Sequence, residues 1–154
     1  MTQWAELKGR RVLVTGHTGF KGTWLTQWLL HLGAKVCGYA LAPDTTRRHF
    51  VESDLASQID HIEADVRDFA SLTQAFKEFQ PEIVFHLAAQ PLVRESYRFP
   101  IETWEINVLG GYKLIDKAIR EDVKQFIYAS SGSVYGVKEE ENVTEDLPLV
   151  PISA

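Results

Sequence analysis

The chain has 154 residues, 45% hydrophobic and 24% charged, with a formal net charge of −5. This is the size and composition of one globular domain with a core of its own, and the negative charge argues against nucleic acid or an anionic membrane as partner. No apolar run approaches the roughly 20 residues that span a bilayer, the start MTQWAELKGR lacks the apolar stretch of a signal peptide, and a single cysteine, Cys37, points to a reducing, cytoplasmic setting.

From there, apolar runs alternate with helix-length amphipathic stretches. RRVLVT is short, β-rich and apolar, a buried strand. Leu25, Trp28, Leu29 and Leu32 recur at the spacing of one helix face, and Gly33 stands where that helix would be capped. AKVCGYAL predicts a second strand and SQIDHIEADV a short third. FASLTQAFKEF reads as a helix with a polar outer face, and PEIVFHLAA as a strong fourth strand. Pro100 suits the first turn of a long helix over 100–120. In it Ile101, Trp104, Val108, Tyr112, Ile115 and Ile119 follow a three-four rhythm. KQFIYASS predicts the fifth strand. The acidic stretch VKEEENVTEDLPLVPIS, with two prolines, reads as loop. The domain is therefore placed at 1–136 and a tail at 137–154.

Strand alternating with helix predicts an α/β fold of the Rossmann type, a doubly wound parallel sheet with helices on both faces. Right-handed crossovers favour the strand order 3-2-1-4-5, and ligands of such sheets lie at the C-terminal strand ends, where the order reverses between strands 1 and 4. The stretch TGHTGFKG falls at that point. Gly16 can take a tight turn that a Cβ would strain. Gly19 would let a phosphate approach the backbone, and Gly22 would let the helix pack close to the sheet. The amides of the helix start, with about half a positive charge from its dipole, suit a pyrophosphate, and Lys21 adds a cation.

The spacing here is G-x-x-G-x-x-G, and TGHTGFKG resembles the TGxxGFxG fingerprint of the extended short-chain dehydrogenase/reductases, the NAD-dependent nucleotide-sugar epimerases and dehydratases. Further segments match in order. Asp65-Val66-Arg67-Asp68 resembles the family's adenine-holding segment. His86-Leu87-Ala88-Ala89-Gln90 resembles its HxAA segment along the cofactor. Asn107 in NVLGG matches its helix asparagine, and YASSGSVYG its catalytic serine strand. TGHTGFKGTWL, GYALAP and PEIVFHLAAQPLVRESYRFPIETWEINVLGG look most like the CDP-glucose 4,6-dehydratase branch; YASSGSVYGVKEEENVTEDLPLVPIS looks more like the epimerase branch. The resemblance implies cofactor binding by Gly16, His17, Gly19, Phe20, Lys21, Gly22, Asp65, Val66, Leu87, Ala88, Ala89, Gln90 and Asn107, and a catalytic role for Ser131. The cofactor implied is NAD, with NADP as the alternative. Ala40 and Leu41 stand where an acid would meet the ribose 2′-hydroxyl, Asp44 lies a few residues late, and Arg47 and Arg48 either face a 2′-phosphate or are solvated charges.

Two departures matter. The family's base is a Tyr-x-x-x-Lys pair on a helix that would begin after PIS, and no tyrosine of this chain has lysine four residues on. The dehydratases carry an acid after the catalytic Ser/Thr; here Gly132 and Ser133 follow Ser131. Family members also carry a substrate domain of roughly 150 or more residues. The chain therefore reads as the cofactor half of such an enzyme, a fragment or a short relative, binding a dinucleotide without unaided turnover. The alternative is a non-catalytic dinucleotide-binding or sensor domain.

Other residues have plainer readings. His17 either reaches the cofactor or sits on the turn surface. His86 reads as a buried, hydrogen-bonded structural histidine. Asp65 reads as an adenine acceptor or a turn residue, and Asp68 as a helix cap. Asn107, unfavourable in mid-helix, is expected to bond neighbouring backbone. Trp24, Trp28 and Trp104 read as core or interface packing, Cys37 as a small buried hydrophobe, and no residue cluster has metal-ligand spacing. Ile106 and Leu109 make the long helix apolar on a second side, and a helix apolar on two sides needs two covers. Since the family pairs this helix in a dimer bundle, a homodimer is expected.

Overall fold

The computed structural model describes residues 5–43, 49–136 and 143–151; Asp44, Arg47 and Arg48 lie outside them. The elements run β1 (Arg11–Thr15), α1 (Phe20–His31), β2 (Lys35–Ala40), α2 (His49–Glu52), β3 (Asp60–Glu63), α3 (Phe69–Phe79), β4 (Ile83–His86), α4 (Val93–Arg98), α5 (Pro100–Trp104), a π-helical segment (Glu105–Gly110), α6 (Gly111–Arg120) and β5 (Gln125–Tyr128). The sheet has five parallel strands in the order β3-β2-β1-β4-β5, as the alternation predicted. Thr15 aligns with Tyr39 on one side and His86 on the other, so the C-terminal ends of the three central strands lie level.

Side-chain alternation splits the core between the two faces. Val12 and Val14 point to one side, where they meet Leu29 of α1 with Val36 and Ile83. Leu13, Cys37, Tyr39 and Val84 point to the other, against Leu72 and Phe76 of α3 and Leu114 and Ala118 of α6. Burial pushes the Cys37 thiol up to about 12, which keeps it protonated and unreactive at neutral pH. Asp68 caps α3, its carboxylate accepting from the Ser71 N–H. At the end of α1, Gly33 takes φ +81, and the Gly33 and Ala34 amides return to Leu30 and Leu29.

Two helix faces differ from expectation. The buried side of α1 is Gly22, Thr23, Thr26 and Leu29, while Trp28 is exposed. Hydrophobic spacing misled here because small residues pack closest to a flat sheet. In the long helix the rhythmic set faces outward: Ile101, Trp104, Tyr112 and Ile119 are each at least 60% exposed. The core side is instead Ile106, Gly110, Leu114 and Ala118. Trp24 and Trp104 are exposed too, so none of the three tryptophans is core.

Candidate functional site

The β1–α1 loop sits at the order reversal between β1 and β4. Gly16 adopts φ +74, and a Cβ there would stand 2.8 Å from the Ala88 nitrogen, so glycine is required both by conformation and by the neighbouring β4 loop. A Cβ on Gly22 would overlap the Gly16 carbonyl and lie 2.7 Å from the His17 Cα. Gly19 differs from both. Its φ is −77, open to any residue, and a Cβ would meet only the Gly16 carbonyl, at 3.3 Å. It is the N-cap of α1 and supplies no side-chain cap. Conformation does not demand glycine here, and packing opposes a Cβ only through that one backbone oxygen, which would have to give by a few tenths of an ångström; the missing side chain leaves room in front of the helix N-terminus, where an anion is favoured. Phe20 and Lys21, the first helical residues, are exposed.

His17 is neither on the turn surface nor open to the loop's outer side. It is fully buried, its ring pressed onto Gly38 of β2, where any Cβ would overlap it. Its Nε2 lies 2.7 Å from His61 Nδ1, and His61 Nε2 lies 3.4 Å from the Glu63 carboxylate. Burial, and then the neighbouring His61, push the His17 pKa down to about 4, so the ring is neutral. His17 props the loop from beneath. Sequence reading missed its seat; the signal was Gly38, a glycine in the middle of a strand.

His86 ends β4 as a buried residue, its Nδ1 2.6 Å from the Thr15 hydroxyl. The Ala88 N–H donates to the same oxygen at 3.2 Å. The arrangement that leaves no Thr15 proton unpaired has the hydroxyl donating to Nδ1, with the ring proton on Nε2. Burial holds this imidazole neutral as well, at about 4. Thr15, His86 and Ala88 together tie the β4 loop to the glycine loop.

Beyond β4, Leu87, Ala88, Ala89, Gln90, Asn107 and Ser131 border one cavity of about 370 Å³. Asn107 bonds the loop's main chain twice: its Oδ1 accepts from the Gln90 N–H at 2.8 Å and its Nδ2 donates to the Gln90 carbonyl at 3.0 Å. The Ser131 Oγ accepts from the Ser133 N–H at 3.2 Å and caps the short turn Gly132–Tyr135. A Cβ on Gly132 would meet nothing within 4 Å, so the fold leaves room for a side chain there.

Asp65 lies away from this cavity, beyond the end of β3. Its carboxylate accepts from the Arg67 N–H at 2.8 Å and pairs with the Arg67 guanidinium at 2.6 Å; Arg67 holds it below the usual carboxylate range. The Val66 side chain is buried against the core, so only its backbone faces outward chemistry. The glycine loop, the β3 end and the cavity line one edge of the sheet, a layout suited to an extended ligand with a central anion. Among the described residues no group of histidines, cysteines and acids could hold a metal ion, and no helix is long and apolar enough to cross a membrane.

These features are those of a Rossmann-type dinucleotide-binding fold with its glycine loop at the switch point of the sheet. The GDP-mannose 4,6 dehydratase family model matches residues 13–154, and the chain belongs to that NAD-dependent epimerase/dehydratase family. It is 44% identical over 142 residues to CDP-glucose 4,6-dehydratase of Salmonella typhimurium, covering 87% of this chain and 40% of that one. It is 35% identical over 144 residues to UDP-glucose 4-epimerase of Mycolicibacterium smegmatis, covering 93% and 46%. The fold matches the Thermus thermophilus UDP-glucose 4-epimerase solved with NAD, with a TM-score of 0.81, 33% identity, and coverage of 93% of this chain and 45% of that one. The chain thus spans less than half the length of these relatives.

Proposed function

We propose that this chain is the NAD-binding portion of a nucleotide-sugar dehydratase or epimerase, with a CDP-glucose 4,6-dehydratase-like enzyme favoured by the likeness to the Salmonella protein. The observation that carries the reading is the Gly16–Gly22 loop at the switch point, with Gly19 as a helix N-cap that has an ordinary φ and no side chain in front of the helix N-terminus. The pyrophosphate would rest on the Gly16–Gly22 backbone, the adenine would lie toward Asp65 and Val66, and the nicotinamide half would run along Leu87–Gln90. When bound, the nicotinamide supplies hydride acceptance. Ser131 would then hold a sugar hydroxyl by hydrogen bond. The neutral His86, at the end of β4, would add no charge to that part of the site. NAD is preferred over NADP because several of the structures this chain matches were solved with NAD. The single buried thiol suits a reducing, cytoplasmic setting.

The chain contains no Tyr-x-x-x-Lys pair, so no base stands ready for the sugar hydroxyl, and these residues alone are expected to bind without turnover. Calorimetry with NAD and NADP in parallel, followed by incubation with NAD and CDP- or UDP-glucose, tests both halves. NAD binding without product is the expected result. No affinity for either dinucleotide would refute the reading, and product formation would refute the claim that catalysis needs the missing pair. The non-catalytic sensor reading, favoured by Gly132 and Ser133 in the acid positions, predicts the same binding. It is separated by turnover after a Tyr-Lys-bearing C-terminal half is supplied, which only the enzyme reading expects.

The outward apolar side of the long helix supports a homodimer. Ile101, Trp104, Tyr112 and Ile119 form a stripe along one helix, a surface of the kind that marks a protein interface. Light scattering at micromolar concentration is expected to return twice the chain mass, and a clean monomer would rule the dimer out.

A further inference from the structure

The long helix widens at Glu105–Gly110, and one tyrosine stands against the widened turn. Tyr128, the last residue of β5, donates its hydroxyl to the main-chain carbonyl of Asn107 at 2.9 Å. In an α-helix that carbonyl would accept from the Gly111 N–H. Here the Gly111 N–H goes to the Val108 carbonyl instead. Gly111 also makes room for the ring: a Cβ there would stand 2.9 Å from the Tyr128 Cε2 and hydroxyl oxygen. His86 packs edge-on to the same ring at 4.8 Å between centroids.

The residue whose carbonyl is held is the one whose side chain clamps Gln90. Gln90 in turn accepts from the Leu92 N–H at 2.6 Å and donates to the Thr103 hydroxyl at 3.0 Å. A chain of hydrogen bonds therefore runs from the β5 end through the helix to the loop after β4, and its members border the cavity described above. Short π-helical insertions are uncommon and concentrate at functional sites. Should the Gly111 N–H return to the Asn107 carbonyl, the α-ladder would close and the Asn107 amide would swing about the helix axis, away from Gln90.

Resting on the dinucleotide reading, we propose that Tyr128 is a positioning residue for the cofactor: its hydroxyl holds open the helical turn that aims Asn107 at Gln90, and so sets the wall formed by Leu87–Gln90. Tyr128 touches no reacting atom in this account. It acts through Asn107.

The test pairs amide hydrogen exchange on the ligand-free chain with NAD calorimetry. Tyr128→Phe keeps the ring and removes the hydroxyl. It is expected to speed exchange at the Gln90 amide and raise the Kd for NAD, each about fivefold, the worth of one hydrogen bond of about 1 kcal/mol. Amides of Val14 and Val84 in the central strands should exchange as before. Asn107→Ala should give at least as large an effect at Gln90, and adding Tyr128→Phe to it should change nothing more, because the side chain being aimed is gone. Unaltered Gln90 exchange and Kd in Tyr128→Phe, or additive losses in the double variant, would overturn the proposal. So would a uniform rise in exchange across the strands, the mark of a merely structural role. If the wild-type chain binds no NAD, both this assignment and the reading beneath it fall; if it binds and Tyr128→Phe binds equally well, this assignment falls alone.

Discussion

Gly22→Ala is expected to destabilise the domain by about 3 kcal/mol, the upper part of the range for overpacking, while Gly19→Ala leaves stability within about 1 kcal/mol and weakens NAD binding at least tenfold. The contrast follows from what each Cβ would meet. At Gly22 it would overlap the Gly16 carbonyl and crowd the His17 Cα; both are backbone, so relief requires α1 to lift from the sheet. That movement also disturbs the loop, and Gly22→Ala should lose measurable NAD affinity as well. At Gly19 the φ of −77 accepts alanine, and the single neighbour, the Gly16 carbonyl at 3.3 Å, need give by only a few tenths of an ångström. The new methyl instead projects into the space assigned to phosphate. Denaturant unfolding and calorimetry on the two variants separate the effects. Wild-type affinity in Gly19→Ala would show that the position is not a ligand contact, and would remove the main support for pyrophosphate binding.

Stability is expected to fall steeply as pH drops from 6.5 toward 4. His17 and His86 are both neutral in the folded state, each with a pKa near 4 against an ordinary value of 6.5. Between these values the unfolded chain binds protons that the folded chain refuses, so protonation pulls the equilibrium toward unfolding. Each ring accounts for about 3 kcal/mol by pH 4. Together this rivals the 5–15 kcal/mol that holds a typical domain. Asp65 and Glu82, held low by arginines, act in the same direction only below their ordinary values of 3.8 and 4.5, so the upper window belongs to the histidines. Denaturant midpoints measured from pH 8 to 4 should show a plateau above 7 and a decline below 6.5. A midpoint that stays level down to pH 4.5 would contradict the buried, neutral assignment. Cofactor affinity should decline over the same range, since His17 supports the glycine loop and His86 is bonded through Thr15 to Ala88.

The sheet, its strand order and the place of the glycine loop are all legible from the order of residues along the chain. Each depends on local pattern: continuous apolar runs for buried parallel strands, one turn of small residues between strand and helix, and a crossover whose handedness chain chirality dictates. Asn107 and Asp68 were legible for a similar reason, because each breaks the propensity of its own segment and must find a partner nearby.

Which face of each helix is covered, and which polar groups meet across the sheet, emerges only when the chain is folded. The apolar rhythm of 100–120 marked a helix but picked out its outward side, because Gly110, Gly111 and Ala118 approach the sheet more closely than the larger side chains can. The burial of His17 depends on Gly38, 21 positions away in the chain, and the hold of Tyr128 on the Asn107 carbonyl depends on a helix that leaves the α-ladder for one turn. Neither follows from periodicity, since each comes from two distant segments competing for one space, and only the folded chain brings them together.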